Sequence, residues 1–234
     1  MRSLAQPRRL SCGPLRAVQF AASEGAPTVL CLHGYGADGA DLASLATQVD
    51  LAGPAQWIFP DAPVELDGGR AWFPIPEDQF ALLQLQGRPL DLSGSRPAGL
   101  DEARTCVEGV IAALGVPMGR LVLGGFSQGA MVALETALRC AEPPAALFLL
   151  SCGLCDEQGL RARAPGRAGL RVLQSHGSSD PLLSFDAAKR LSGILTGAGL
   201  ECEFMGFDGG HAIGPGALER LGSLVDAVCM RPAD

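Results

Sequence analysis

The chain has 234 residues, 47% of them hydrophobic, which is enough apolar material for one sizeable core. Its net charge is −7 and Lys189 is its only lysine, so it has no basic stripe that could hold phosphates. These numbers favour a single domain over residues 1–234 and argue against nucleic acid as a partner.

The N-terminal segment and the cysteines indicate the compartment. Residues 1–13 carry arginines, but no apolar run long enough for a signal-peptide core follows them. No stretch approaches the roughly 18 to 20 apolar residues of a spanning helix. The eight cysteines are scattered, which suits a reducing environment better than a disulfide framework. We therefore expect a cytoplasmic protein with no stable membrane anchor.

Short apolar runs that indicate buried strands alternate along the chain with stretches of helical apolar spacing. In chain order, the pattern predicts strand 28–32, helix 40–51, strand 56–60, helix 100–114, strand 120–124, helix 128–140, strand 146–151, strand 170–175, helix 185–195, strand 201–207 and helix 215–228. Such alternation requires a mainly parallel sheet with helices on both faces. The predicted fold class is therefore α/β.

Two segments interrupt this alternation. Residues 63–99 are rich in Pro and Gly but also hold Trp72, Phe73, Phe80 and Leu83, too apolar for an ordinary solvated connection. Long connections in compact domains are usually functional, so we interpret 63–99 as a lid or pocket wall. A short extra helix packed on the core is the alternative. Residues 152–169 read as a solvated excursion without chemistry.

The strongest local signal for chemistry is Gly125-Phe126-Ser127-Gln128-Gly129, between a predicted strand and a predicted helix. A sharp strand-to-helix turn puts its corner residue in a strained backbone conformation, and flanking glycines allow a close approach there. The helix N-terminus offers backbone amides that stabilise negative charge on a substrate oxygen. Ser127 is therefore the predicted nucleophile.

A serine hydroxyl needs a base to take its proton, and histidine is the natural candidate. Of the three histidines, His211 lies in the glycine-rich turn after the last predicted strand. Asp180 follows an earlier strand and could orient the imidazole, although an aspartate before Pro181 could also simply start a turn. We predict His211 as general base and Asp180 as the acid, with Asp186 and Asp208 in reserve.

Three further positions near strand ends are given supporting roles. His33 and His176 each precede a glycine where a predicted strand ends, and we expect both to bond loop backbone near the pocket rather than transfer protons. The loop 33–38 is placed to supply one oxyanion-hole amide, and Gln128, which follows the nucleophile, supplies the other. A plain turn at 33–38 is the alternative.

Cys152 and Cys155 have the spacing of a redox or metal-binding pair, but no second pair or neighbouring histidine completes a zinc site. We expect structural thiols and no metal, and a redox role remains the alternative.

As a set, these motifs resemble the phospholipase/carboxylesterase family of α/β-hydrolases, which includes the acyl-protein thioesterases. The stretches that carry the resemblance are 32–38 (LHGYGAD), 60–63 (PDAP), 70–73 (RAWF), 123–130 (LGGFSQGA), His176-Gly177 with Asp180-Pro181, and Gly210-His211. They cover most of the chain in the family's order. The expanded segment 74–97 and Leu182-Leu183 depart from the thioesterase-like pattern.

The resemblance implies a serine hydrolase without metal or organic cofactor, with the triad Ser127, Asp180 and His211. It implies oxyanion-hole amides on Tyr35 and Gln128. Its substrate would be a small ester or thioester held in an apolar channel, with Trp72, Phe73, Phe80 and Leu83 as the predicted contacts.

Three functions are compatible with this pattern. The leading one is carboxylester hydrolysis through an acyl-enzyme on Ser127. Thioesterase or lysophospholipase action on long acyl chains is the alternative, and a catalytically silent binding protein is the remote one. We expect a monomer or a homodimer.

Overall fold

A computed structural model describes residues 6–230, except for the side chains of Glu77, Gln79, Phe80 and Gln84. Its main sheet has eight strands in the order β1-β2-β4-β3-β7-β8-β9-β10. These are β1 (Arg8–Cys12), β2 (Leu15–Phe20), β3 (Thr28–Leu32), β4 (Gln56–Pro60), β7 (Leu121–Phe126), β8 (Ala146–Leu150), β9 (Arg171–Gly177) and β10 (Glu201–Phe207). A separate hairpin comprises β5 (Val64–Leu66) and β6 (Gly69–Ala71).

Within the main sheet, neighbouring strands pair in parallel along β4-β3-β7-β8-β9-β10, whereas β1 with β2 and β2 with β4 pair antiparallel. The helices are α1 (Leu45–Gln48), α2 (Glu77–Leu85), α3 (Leu100–Leu114), α4 (Gln128–Arg139), α5 (Glu157–Arg163), α6 (Phe185–Gly197) and α7 (Ala217–Cys229). Helices α3 to α6 pack on one face of the sheet, and α1 and α7 pack on the other. The predicted α/β class is confirmed.

Burial follows from this layering. Strands β3 and β8 are buried at every residue, because helices cover both faces of the parallel part of the sheet. Helix α4 is buried from Gln128 to Leu138, since it lies between the sheet and neighbouring helices. The helix that follows the predicted nucleophile is therefore held on all sides.

The carboxyl ends of parallel strands meet at one edge of a sheet, and loops at that edge commonly hold ligands. Here the ends of β3, β7, β9 and β10 lead directly into the segments with His33, Ser127, Asp180 and His211. Segments far apart in the sequence are thus brought to one edge.

The predicted helix 40–51 was too long. Only Leu45–Gln48 is α-helical, and the preceding turns bond three residues back, as in Asp41 N to Asp38 O at 3.2 Å. Gly39 causes part of this departure, because its amide donates to Asp61 at 2.9 Å and a Cβ there would overlap Phe59 O. Leu42, Leu45, Ala46 and Val49 are buried, at the spacing of one helix face.

Both interruptions contain regular structure that the sequence pattern did not assign. Segment 63–99 holds the hairpin β5-β6 and helix α2, so the alternative of a short extra helix is present in it. Segment 152–169, expected to be a solvated excursion, contains α5, whose first turn is capped by the Asp156 carboxylate. Strands β1 and β2 were also missed. No helix found between residues 6 and 230 has the length and apolarity needed to cross a bilayer.

Candidate active site

Ser127 occupies the corner between β7 and α4 with φ 55° and ψ −121°, a conformation that residues with a side chain rarely adopt. Its amide donates to Leu150 O at 2.8 Å, which ties the corner to β8. The turn therefore holds the serine at the carboxyl edge of the sheet, at the N-terminus of a fully packed helix.

The glycines around Ser127 are required by a neighbouring strand. A Cβ at Gly125 or at Gly129 would overlap Leu32 O, and at Gly129 it would also overlap His33 O. The end of β3 therefore lies directly against this turn. A Cβ at Gly34 would lie 3.4 Å from Ser127 Cβ, so the loop after β3 runs beside the serine.

Asp180 lies in the turn after β9, and its side chain is fully buried. Oδ1 accepts hydrogen bonds from the amides of Leu182 at 2.8 Å and Leu183 at 3.0 Å. Oδ2 lies 2.7 Å from His211 Nδ1 and 3.2 Å from His176 Nε2. Asp180 thus starts a turn and also pairs with His211.

The pKa of Asp180 lies well below its ordinary value. Burial alone would raise the pKa, but hydrogen bonds from His176, His211 and the Leu183 amide stabilise the charged form and outweigh it. The carboxylate is therefore ionised at neutral pH and holds His211 Nδ1 as a donor. Because Nδ1 keeps its proton, Nε2 is the nitrogen that can accept another.

His211 lies in the loop after β10, with its ring 4.8 Å from the ring of Phe126, the neighbour of Ser127. The start of this loop is bound to the turn after β9 by Ser178 N to Phe207 O at 2.8 Å and Ser179 N to Gly209 O at 2.9 Å. Phe126 was not among the predicted site residues. The reserve acids lie elsewhere: Asp208 is exposed, and Asp186 pairs with a lysine on the surface of α6.

The loop 33–38 is braced by the hairpin. Gly36 N donates to Arg70 O at 2.8 Å, and Arg70 N donates to Ala37 O at 2.9 Å. Strand β6 thereby fixes the direction of the backbone around Tyr35. Gln128 is the first residue of α4, so its amide has no partner within the helix and can face a substrate oxygen.

The His33 and Gln128 side chains bond to backbone near this loop. His33 Nε2 accepts from Ala62 N at 3.0 Å while Nδ1 lies 2.7 Å from Gly34 O, so Nδ1 carries the proton. Burial lowers the pKa of His33, against smaller opposing effects of the Gly34 hydrogen bond and nearby carboxylates. Neutral His33 thus bonds loop backbone. Gln128 Nε2 donates to Phe73 O at 2.8 Å, and Gln128 Oε1 accepts from Trp72 N at 2.8 Å.

The predicted substrate contacts lie partly in the core and partly on α2. Trp72 and Phe73 are each 1% exposed and belong to the core beneath the loop, where Trp72 Nε1 donates to His33 O at 2.8 Å. In this structure they offer no surface to a substrate. Leu83 on α2 is partly buried against the core. The side chain of Phe80 lies outside the described residues.

A short strap, residues 90–96 at the end of the segment 63–99, is bonded to the turn that carries Asp180, here called the acid turn. Leu90 N donates to Leu182 O at 2.8 Å, and Asp156 N donates to Ser95 O at 3.0 Å. The Arg96 guanidinium then reaches Asp156 at 2.9 Å and the buried Glu135 of α4 at 2.8 Å. The strap therefore links the turn that carries Asp180 to the helix that follows Ser127. Its sequence gave no signal for this pairing.

Cys152 and Cys155 are free thiols, and Cys155 forms a β-bridge with Leu92 of the strap. Burial raises the pKa of Cys152, and it raises the pKa of Cys155 to about 12, with smaller contributions from nearby carboxylates. Both side chains are therefore protonated at neutral pH, which suits the predicted structural role.

The model of the phospholipase/carboxylesterase family matches residues 14–228 of this chain. Acyl-protein thioesterase 1 of Mycosarcoma maydis is 31% identical over 184 residues, which cover 72% of this chain and 75% of that protein. Carboxylesterase SOBER1 of Arabidopsis thaliana is 28% identical over 207 residues, covering 84% and 88% of the two chains.

Solved structures agree with these relatives. The crystal structure of esterase PE8 superposes with a TM-score of 0.75 at 28% identity, covering 92% of this chain and 98% of that chain. The crystal structure of Arabidopsis thaliana SOBER1 gives a TM-score of 0.71 at 27% identity, covering 87% and 99%.

Proposed function

This chain belongs to the phospholipase/carboxylesterase family of α/β-hydrolases, and we propose that it hydrolyses carboxylic esters through an acyl-enzyme on Ser127. As a family member it is a serine hydrolase, and the proposal concerns which residues act and on which substrates. His211 is the proposed base and Asp180 the acid that orients it.

The observation that carries this proposal is the pair Asp180–His211, at 2.7 Å, packed on Phe126 beside the strained corner at Ser127. A histidine held as an Nδ1 donor by a buried carboxylate is suited to take a hydroxyl proton at Nε2. The buried acid, the oriented imidazole and the serine at a helix N-terminus are together the parts that acyl transfer needs.

The proposed reaction has two halves. Ser127 Oγ attacks the ester carbonyl carbon while His211 Nε2 takes the hydroxyl proton, and the oxyanion faces the amides of Tyr35 and Gln128. Collapse breaks the ester bond, and the departing alcohol receives the proton from His211. Water then attacks the acyl-enzyme with His211 as base, which releases the carboxylic acid and regenerates Ser127. No step in this scheme calls on a metal or an organic cofactor.

A second candidate is the hydrolysis of long-chain acyl esters or thioesters. It is supported by the named acyl-protein thioesterase relative and by partly buried apolar side chains near the acid turn and on α2, among them Leu83, Leu92 and Leu182. Each methylene buried by the enzyme would add up to about 0.8 kcal/mol to binding. Efficiency should then rise with acyl length.

The test of the first candidate is labelling by a fluorophosphonate probe, followed by peptide mapping. We expect the wild type to be labelled at Ser127 and to turn over p-nitrophenyl acetate, and Ser127→Ala to lose both activities. Ser223→Ala, at an exposed serine of α7, is the matched control and should keep both. Persistent turnover by Ser127→Ala would refute the proposal.

A screen of acyl chains from two to sixteen carbons, as oxygen esters and as thioesters, separates the two candidates. A flat chain-length profile would contradict long-chain action.

We further propose that the enzyme works in the cytoplasm, as a monomer or homodimer. All eight cysteines are free, which supports a reducing compartment.

A further inference from the structure

Ser151 has a backbone conformation that the proposed mechanism does not explain. In the described part of the chain, three residues other than glycine have positive φ: Ser127, Ser151 and Asp156. Ser127 forms the nucleophile corner, and Asp156 caps α5 by accepting from Gly159 N at 3.0 Å. Ser151, with φ 48° and no exposed surface, has neither role. Such strain persists only where the surroundings fix it, and it is concentrated at functional sites.

The contacts of Ser151 join the segments that carry the proposed triad. Its hydroxyl donates to Ala212 O, the residue after His211, at 2.9 Å. Its amide donates to Ser175 O on β9 at 2.8 Å, upstream of the acid turn. The preceding carbonyl, Leu150 O, accepts from Ser127 N at 2.8 Å. The corner at the end of β8 therefore contacts the nucleophile, the strand leading to the acid and the histidine loop.

The loop that carries His211, here called the histidine loop, needs an attachment after the histidine as well as before it. Residues 208–216 contain four glycines, which lower the cost of many alternative backbone conformations. The bonds from Ser178 and Ser179 hold only the part of the loop that precedes His211. The Ser151 hydroxyl holds the carbonyl that follows it. The imidazole is thus fixed between two attachments.

The positive φ at Ser151 explains how one residue can make both bonds. It turns the chain at the end of β8, so that the amide remains paired with β9 while the hydroxyl reaches the histidine loop. Replacement of the hydroxyl removes one attachment and leaves the backbone strain in place.

We propose that Ser151 is a positioning residue, which holds the loop after His211 so that the imidazole stays directed between Asp180 and Ser127. This inference rests on the proposed function, because it assigns His211 as the base. A misplacement of about 1 Å in a catalytic group can cost about 10²-fold in rate. Loss of the hydroxyl should therefore lower kcat more than it raises KM.

The experiment compares Ser151→Ala and Ser151→Gly with the wild type. Glycine relieves the positive φ and alanine does not, but both remove the hydroxyl. Ser175→Ala is the matched control, because Ser175 is equally buried and its hydroxyl makes no hydrogen bond to the described residues. Each protein is assayed on p-nitrophenyl acetate and by its rate of fluorophosphonate labelling.

We expect kcat and the labelling rate to fall about 10- to 100-fold in both Ser151 variants, with KM within about threefold of the wild type. Ser175→Ala should stay within about twofold. A kcat for Ser151→Gly and Ser151→Ala equal to that of the control would overturn the proposal, even if their melting temperatures are lower.

Proton NMR of the three histidines gives an independent result. We expect the Nδ1 proton of His211, identified by its absence in His211→Gln, to be far downfield in the wild type and lost to solvent exchange in Ser151→Ala. An unchanged resonance would overturn the inference. If the wild type is not labelled at Ser127, the proposed function fails, but the resonance still tests the positioning.

Discussion

Replacement of Asp180 by asparagine tests the proposed triad most directly. Oδ1 accepts from two backbone amides, Leu182 and Leu183, so the side-chain oxygen of asparagine must remain on that side. Its NH2 group then faces His211 Nδ1, where the wild type has an acceptor. His211 must present a lone pair at Nδ1 and carry its proton on Nε2, where it can no longer accept one. His176 Nε2 also loses an acceptor.

The expected loss in kcat is about 10⁴-fold, the size found when a wrong tautomer is imposed on a catalytic histidine. That factor corresponds to about 5.4 kcal/mol in activation free energy. The free energy of unfolding should also fall, by about 3 kcal/mol, because hydrogen bonds to a charged group contribute about 1.5–3 kcal/mol each. Stability and activity therefore change by clearly different amounts.

The assay is turnover of p-nitrophenyl acetate and fluorophosphonate labelling of Ser127, with urea unfolding measured on the same preparations. Asp186→Asn is the matched control, because it removes an exposed carboxylate that pairs with a surface lysine, and it should change neither quantity appreciably. A folded Asp180→Asn enzyme within tenfold of the wild-type kcat would refute the reasoning.

Three further outcomes are expected. Gly129→Ala should lower the free energy of unfolding by about 3 kcal/mol or more and abolish turnover, because its Cβ would overlap Leu32 O; both are measured by urea titration and ester assay. Arg96→Met should cost about 1–3 kcal/mol in urea titration, since the buried Glu135 loses one of its cationic partners. Folding lowers the pKa of Asp180, so the ionised carboxylate stabilises the folded protein fully above about pH 5, and this contribution is lost as pH falls. The difference in unfolding free energy between wild type and Asp180→Asn should therefore shrink on acidification.

Two substitutions serve as controls for this group. Gly193→Ala lies in α6 with open space around the new Cβ, and it should be neutral or stabilising. Arg190→Met removes a half-exposed partner of Glu157 and should change stability by less than about 0.5 kcal/mol. Equal losses in test and control variants would contradict the assigned causes.

The parallel centre of the fold could be predicted because its strands are continuous apolar runs. Thr28–Leu32 is such a run, and this strand agrees with the sequence prediction in both bounds. The edge strand Glu201–Phe207 also agrees in both bounds, although glutamates alternate with apolar residues at its start. The helix predicted over 40–51 was too long because apolar spacing indicates which side chains are buried. It does not indicate whether backbone hydrogen bonds reach three or four residues back. Helix α5 escaped detection because it has only seven residues and buries Leu160 alone, so it lacks the apolar spacing that marks a helix in the sequence.

The chemistry-bearing residues could be selected from chain order and turn composition, but their supports could not. Nothing local marks Ser151 as a partner of Ala212, or Leu90 as a partner of Leu182, since both contacts join segments far apart in sequence. The core position of Trp72 was also missed, because an aromatic residue in a long connection suits a pocket wall and a core equally well. Contacts between loops are set by the assembled sheet.

The position of β10 has a consequence for biosynthesis. It is the last strand in the part of the chain that the structure describes and lies at one margin of the sheet, yet it leads to the proposed base. A nascent polypeptide could complete the nucleophile corner while the segment with His211 is still inside the ribosome. Hydrolytic competence would then wait for the synthesis of β10 and the loop after it, and it would be lost when β10 detaches from the sheet.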